Sequence, residues 1–248
     1  MDRLLYIAMS GAKQIMQAQA VNSNNLANVS TMGFRADMIA AQERPVEGPG
    51  YKTRVYSEAV QSGVDFTQGS IITTGNDLDV AVRGKGWIAV QSKDGTEAYT
   101  RAGDLHMNAN GQLLTGSGNP VLGNGGPIAI PPFDKLEIGG DGTISILPAG
   151  QEGSTLAVLD RIKLVNPEQD QLEKNSEGLL KMKGEAAQAV VADSSITLVS
   201  GALESSNVNS IASMVSMIEY SRQYEMQIKM MKEADDNAQS SMTVMRLS

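Results

Sequence analysis

NVNSIASMVSMIEYSRQYEMQIKMMKEADDNAQSSMTVM, residues 207–245, contains no glycine and no proline, in a 248-residue chain that has 25 and 8 of them. Within it apolar residues recur every seven positions. One row is Met217, Tyr224, Met231, Ala238 and Met245. Three residues before each lies a second row: Met214, Ser221, Ile228, Asp235 and Met242. Steps of three and four place both rows on one side of a helix, the pattern of a coiled-coil seam. A helix from Asn209 to Met245 would be about 55 Å long at ~1.5 Å per residue. That exceeds the span of one small domain, so the spacing predicts a partner surface.

The first residues repeat the pattern. Leu5, Ala8, Ala12, Ile15, Gln19, Asn22, Leu26 and Val29 follow the same alternation. Gly11 is the only glycine before Gly33, and no proline precedes Pro45. The expected first helix runs from near Asp2 to about Val29. Gly33 suits the left-handed position that closes it, and Asn207 or Asn209 suits the cap of the last helix.

The middle reads differently. From Asp77, short apolar stretches alternate with turn pairs, as in Leu78-Asp79-Val80-Ala81-Val82, Trp87-Ile88-Ala89-Val90-Gln91 and Ala98-Tyr99-Thr100. Asp94-Gly95, Asn110-Gly111 and Asp141-Gly142 are hairpin turn pairs. Strands are also predicted at Leu105–Met107, Gln112–Leu114, Val121-Leu122, Ile128–Ile130, Leu136–Ile138, Thr143–Ile146, Leu156–Leu159, Ile162–Val165, Leu179–Met182 and Ile196–Val199. Many short strands between glycine turns indicate an antiparallel β domain. The expected fold class is α+β: long N- and C-terminal helices in a coiled-coil-like domain, with an all-β domain inserted between them. The expected divisions are 1–35 with 205–248 for the helices, 76–185 for the β domain, and 36–75 with 186–204 as extended connections. Within the first connection, Thr53–Tyr56 is a possible strand.

Composition narrows the function. Net charge is −8, and no basic block occurs, which argues against nucleic acid and anionic membranes as partners. Leu4–Met9 is too short for a signal-peptide core, and no stretch approaches the roughly 20 apolar residues of a membrane span. Without cysteine there are no disulfides or thiolate metal sites. His106 is the only histidine, which excludes a metal site built on two histidines. Gly84-Lys85-Gly86 is too short for a phosphate loop and reads as a turn. Asp77 and Asp79 lie on one face of a predicted strand; they read as a solvated face, with a cation site as the alternative. Asp235-Asp236 belongs to the charged side of the last helix. No pair of carboxylates stands out for glycoside hydrolysis. No cofactor, metal site or catalytic residue is predicted.

Asn25-Leu26-Ala27-Asn28-Val29-Ser30-Thr31-Met32-Gly33-Phe34 resembles the N-terminal signature of bacterial flagellar rod and hook proteins, Asn-Leu-Ala-Asn followed by Thr-x-Gly-Phe. Leu203-Glu204-Ser205-Ser206-Asn207-Val208-Asn209, Met217-Ile218-Glu219 and Arg222-Gln223-Tyr224-Glu225-Met226 resemble the C-terminal signature. Leu78–Val82, Gly86-Trp87 and Tyr99-Thr100-Arg101-Ala102-Gly103 resemble the rod proteins that carry a central β domain. Gly86-Trp87 and Leu5–Ala12 are closer to the proximal-rod members than to the distal ones, which more often have Gly-Phe-Phe.

The resemblance implies a structural subunit of the basal-body rod, not an enzyme. Its partners would be other copies of itself, other rod proteins and the flagellar type III export apparatus. Its terminal helices would pack around a channel and transmit torque across the periplasm. Subunit contacts are then expected at Leu5, Ala8, Ala12, Ile15, Asn25, Leu26 and Asn28, and at Met214, Met217, Tyr224, Ile228, Met231, Met242 and Met245. The alternatives are a distal-rod member, or a periplasmic β-domain protein that binds or cleaves cell-wall polymer.

Overall fold

A computed structural model describes residues 3–45, 55–150, 156–184 and 190–246. The chain is α+β, with one long helix toward each end and strands between. Helix α1 spans Arg3–Ala27 and α2 spans Ser210–Arg246. The strands are β1 Asp37–Pro45, β2 Val55–Val64, β3 Ile71–Thr73, β4 Val80–Arg83, β5 Trp87–Gln91, β6 Glu97–Thr100, β7 Leu105–Met107 and β8 Leu113–Thr115, then β9 Phe133–Ile138, β10 Thr143–Pro148, β11 Ala157–Arg161, β12 Leu164–Val165, β13 Leu172–Lys174, β14 Leu180–Met182, β15 Thr197–Ser200 and β16 Ala202–Glu204.

The chain divides into two units. One is helical, formed by residues up to Val29, Ala36–Asp65 and the chain from Val208. In it α1 packs on α2 and on the β1–β2 pair. The buried line of α1 is Ala8, Ala12, Ile15 and Ala18. Asn22 Nδ2 donates to the Ser213 carbonyl at 2.7 Å, tying the end of α1 to the start of α2. Asn209 caps α2, its Oδ1 accepting the Ala212 N–H at 3.1 Å. Asn207 does not share this role; its Nδ2 donates to the Thr67 carbonyl at 3.1 Å.

Residues 37–64, expected as an extended connection, form a long antiparallel pair, β1 with β2. Of the possible strand at Thr53–Tyr56, Val55 and Tyr56 open β2, and Thr53-Arg54 lie outside the described residues. The 185/186 boundary lies outside them too.

The other unit comprises Ser30–Arg35 and Phe66–Asn207. Its strands are all paired antiparallel, in a five-stranded sheet β12-β5-β6-β14-β13, a three-stranded sheet β11-β10-β9, and the pairs β15-β4, β16-β3 and β7-β8. One apolar cluster fills it, including Val80, Ile88, Val90, Leu113, Val121, Ile128, Ile144 and Ile162. The turn pairs fall where the sequence puts them: Gly95, Gly111 and Gly142 take φ of 82°, 79° and 85°. In β4 Ala81 is as buried as Val80 and Val82, so this strand is covered on both faces. Val121-Leu122 and Ile128–Ile130 make isolated bridges, not strands.

Candidate functional site

The sequence stretches that carry the resemblance meet in the β unit at one buried carboxylate. Glu204 ends β16, only 1% exposed. Its Oε1 accepts from Arg35 Nη2 at 2.5 Å and from the Gly69 N–H at 3.0 Å. Its Oε2 accepts from Arg101 Nη1 at 2.9 Å. Both arginines are 3% exposed. Arg101 also donates to the carbonyls of Val82 at 3.1 Å and Gly84 at 2.6 Å. Two cations thus share one anion in the interior. Burial pulls the Arg101 guanidinium below its usual range; Glu204 opposes that shift and neighbouring Arg35 adds to it.

Trp87 completes the arrangement. Its ring centroid lies 5.6 Å from the Arg35 guanidinium carbon and 5.2 Å from that of Arg101. Among the described residues Arg35 Nε and Nη1 and Arg101 Nε have no hydrogen-bond partner. The indole π face offers these cations their remaining electrostatic contact. Phe66 meets the same ring edge-on, 5.9 Å between centroids.

Gly33 serves this junction instead of closing α1, which ends six residues earlier at Ala27. Its φ is +66°, and its N–H donates to the Glu204 carbonyl at 2.8 Å. A Cβ there would stand 2.2 Å from the Arg101 carbonyl carbon, so position 33 requires glycine twice over. The sequence reading missed the junction. Arg101 follows β6 and Glu204 ends β16, and neither position is marked by its neighbours in the sequence.

In the helical unit the expected contact residues separate into two groups. Ala8, Ala12 and Ile15 are buried within the chain. Asn25 is also engaged there, donating to the Asp37 carbonyl and accepting the Asp37 N–H, both at 2.9 Å. Asn28 Nδ2 bonds the Asn24 carbonyl at 2.9 Å. Leu26, Met217, Tyr224 and Met231 are half-buried. Leu5, Met214, Ile228, Met242 and Met245 are exposed.

On α2 the covered stripe therefore keeps the row Met217, Tyr224, Met231, Ala238. Its companion row is not the expected Met214, Ser221, Ile228, Asp235. It is Tyr220, Gln227 and Ala234, which lie three residues after, and Ala234 is the buried member. The row beginning at Met214 faces outward with Ile211, Val215 and Ile218. Of the 20 exposed large hydrophobics among the described residues, 13 lie on α1 and α2. That concentration marks the helices as the apolar surface of the chain.

Of the polar side chains considered for chemistry, Asp79 and His106 lie apart from one another in the sequence. His106 is exposed on β7. Asp79 is not on a solvated strand face: it is buried and accepts from Thr74 Oγ1 at 2.6 Å and Asn76 Nδ2 at 3.0 Å. Among the described residues no group of three His, Cys, Asp or Glu is placed to hold a metal. A cleft of about 440 Å³ lies beside Leu122, Asn124 and Val191; the one carboxylate lining it, Glu97, is bonded to Lys163 at 2.8 Å.

Three family models match along the chain: "Flagella basal body rod protein" over residues 5–35, "Flagellar hook protein FlgE/F/G D1 domain" over 81–146, and "Flagellar basal body rod FlgEFG protein C-terminal" over 199–244. The chain belongs to the flagellar basal-body rod proteins. It is similar to the flagellar basal-body rod protein FlgF of Escherichia coli K12, 42% identical with 96% of each chain covered. FlgF of Caulobacter vibrioides is 32% identical, with 97% of each covered. FlgG of Buchnera aphidicola (Schizaphis graminum) is 31% identical, covering 95% of this chain and 96% of that one. The chain is thus a FlgF-like structural subunit of the basal-body rod.

Proposed function

We propose that this subunit occupies the proximal level of the rod and builds the wall of a drive shaft with its terminal helices. The observation that carries this reading is the outward apolar face of α2, Ile211, Met214, Val215 and Ile218, with Tyr6, Met9 and Met16 on α1. Surfaces of this kind gain free energy when a neighbour covers them. A contact between unlike faces that does not close on itself propagates as an open helical assembly. Neighbours are other copies and other rod proteins. Leu5, Met214, Ile228, Met242 and Met245 line the seam between subunits, in coiled-coil-like packing. Ala8, Ala12, Ile15 and Asn25 set the shape of the helical unit that offers them.

The shaft crosses the periplasm, transmits torque and encloses the channel of the type III export apparatus, through which the chain itself leaves the cell. Similarity to FlgG over nearly the whole chain makes the distal level the second reading. Ile228→Asp, on the exposed seam, tests the assembly reading. The variant keeps a folded β unit, seen as an unchanged thermal transition of its strands, but fails to restore swimming in a strain lacking the wild-type gene. Normal swimming would sink the assignment of α2 to the wall.

A further inference from the structure

The chain passes between its two units four times: after Val29, after Arg35, after Asp65 and after Asn207. On the β side every one of these passages is tied to the Glu204 junction. The short insert 30–35 is held by the Gly33 N–H on the Glu204 carbonyl and by the Arg35 ion pair. Lys174 Nζ adds a bond to the Arg35 carbonyl at 2.9 Å and sits 3.9 Å from the Phe34 ring centroid. The passage at 65/66 begins with Phe66 against Trp87, and Gly69 donates to Glu204. The last passage, at Asn207, donates its N–H to the Phe34 carbonyl at 3.3 Å and its amide to Thr67.

We propose that this junction is the mechanical anchor through which load on the helical segments enters the β unit, with Glu204 as its positioning residue. The proposal rests on the rod reading above. Load on any one segment is shared, because each segment bonds to another or to the same carboxylate. Arg35 and Arg101 repel one another, and Glu204 is the one carboxylate that bonds both. Stripping away one buried partner is strongly unfavourable, so the junction opens as a unit or not at all.

The test uses the full chain. Glu204→Gln keeps the volume and the acceptor for Gly69 and removes the charge. Amide hydrogen exchange at Gly33 and Gly69 should rise about tenfold or more, as expected for losing charge-assisted bonds, while Leu113 and Val121 in the core keep their protection. Adding Arg35→Met removes one cation as well and should return Gly69 toward wild-type exchange. A role in packing alone would make the double variant worse than the single. In cells Glu204→Gln should swim in dilute medium and lose at least about half its relative speed in viscous medium, where torque is higher. Exchange unchanged at Gly33 and Gly69, or a speed loss independent of viscosity, overturns the proposal. Should Glu204→Gln unfold the core, Arg35→Lys, which keeps the charge and loses the planar stack on Trp87, takes its place with the same expectations. Failure of the wild-type gene to restore swimming would instead sink the rod reading and leave the exchange result standing.

Discussion

The two units of this chain handle apolar surface in opposite ways. The β unit covers its own: Val90, Ile88, Leu113, Val121 and Ile144 have no measurable exposure. The helical unit leaves most of its large hydrophobics in the open, and its buried line on α1 is made largely of alanine. A self-covered core yields a unit stable by itself; a half-covered one yields a unit whose stability is completed by neighbours. The difference leaves exposed apolar surface mainly on the helices.

The largest break in this contrast should come from the β unit's buried charge. Glu204→Ala leaves two arginines facing each other in the interior and should cost about 3–5 kcal/mol. Chemical denaturation followed by the fluorescence of Trp87, the only tryptophan, reads this directly. Leu113→Ala should cost about 2–5 kcal/mol through the cavity it leaves, again in the β transition and not in the helical signal. Equal loss in both transitions would erase the distinction between the units.

A smaller effect is tied to pH. Asp104 forms an isolated backbone bridge with Asp79, its Oδ1 is buried without a partner among the described residues, and burial raises its pKa. A raised carboxyl pKa means the folded chain holds that proton more tightly than the unfolded one. Its stabilising contribution is therefore complete below the ordinary carboxylate range. It is lost as pH climbs through the raised value. Asp104→Asn should remove this loss, so its thermal midpoint gains on wild type between acid and neutral pH. A constant offset across that range would show that Asp104 does not titrate there. The smallest effect on the free subunit should come from Met214→Asp, within about 0.5 kcal/mol because the side chain is exposed. The same variant should be absent from isolated basal bodies. A large loss of stability in the free chain would mean that Met214 is already covered.

Much of this was legible from residue order, and the parts that were not have physical causes. Met217, Tyr224, Met231 and Ala238 declared a helix face by spacing alone. Which neighbouring row joined them could not be read, because Met214 and Ile228 are the more apolar choice. The covered row instead runs through Tyr220, Gln227 and Ala234. Hydropathy favours the row that other molecules would cover, and a single chain covers the other. The β1–β2 pair escaped because Ala40-Ala41-Gln42-Glu43-Arg44 is exposed throughout and has no inward-outward alternation. The turn pairs were readable because a left-handed glycine is a local requirement. The Glu204 junction was not, since it joins residues 169 and 103 positions apart. No local rule reports a bond over that separation.

Gly11 makes one further point. A methyl group there would lie 3.2 Å from the side-chain amide of Gln227 on α2. Ala8, Ala12 and Ala18 lie on the same buried line of α1, so this face is built largely from small residues. Bulk at position 11 would therefore push the Gln227 amide aside or wedge α1 away from α2.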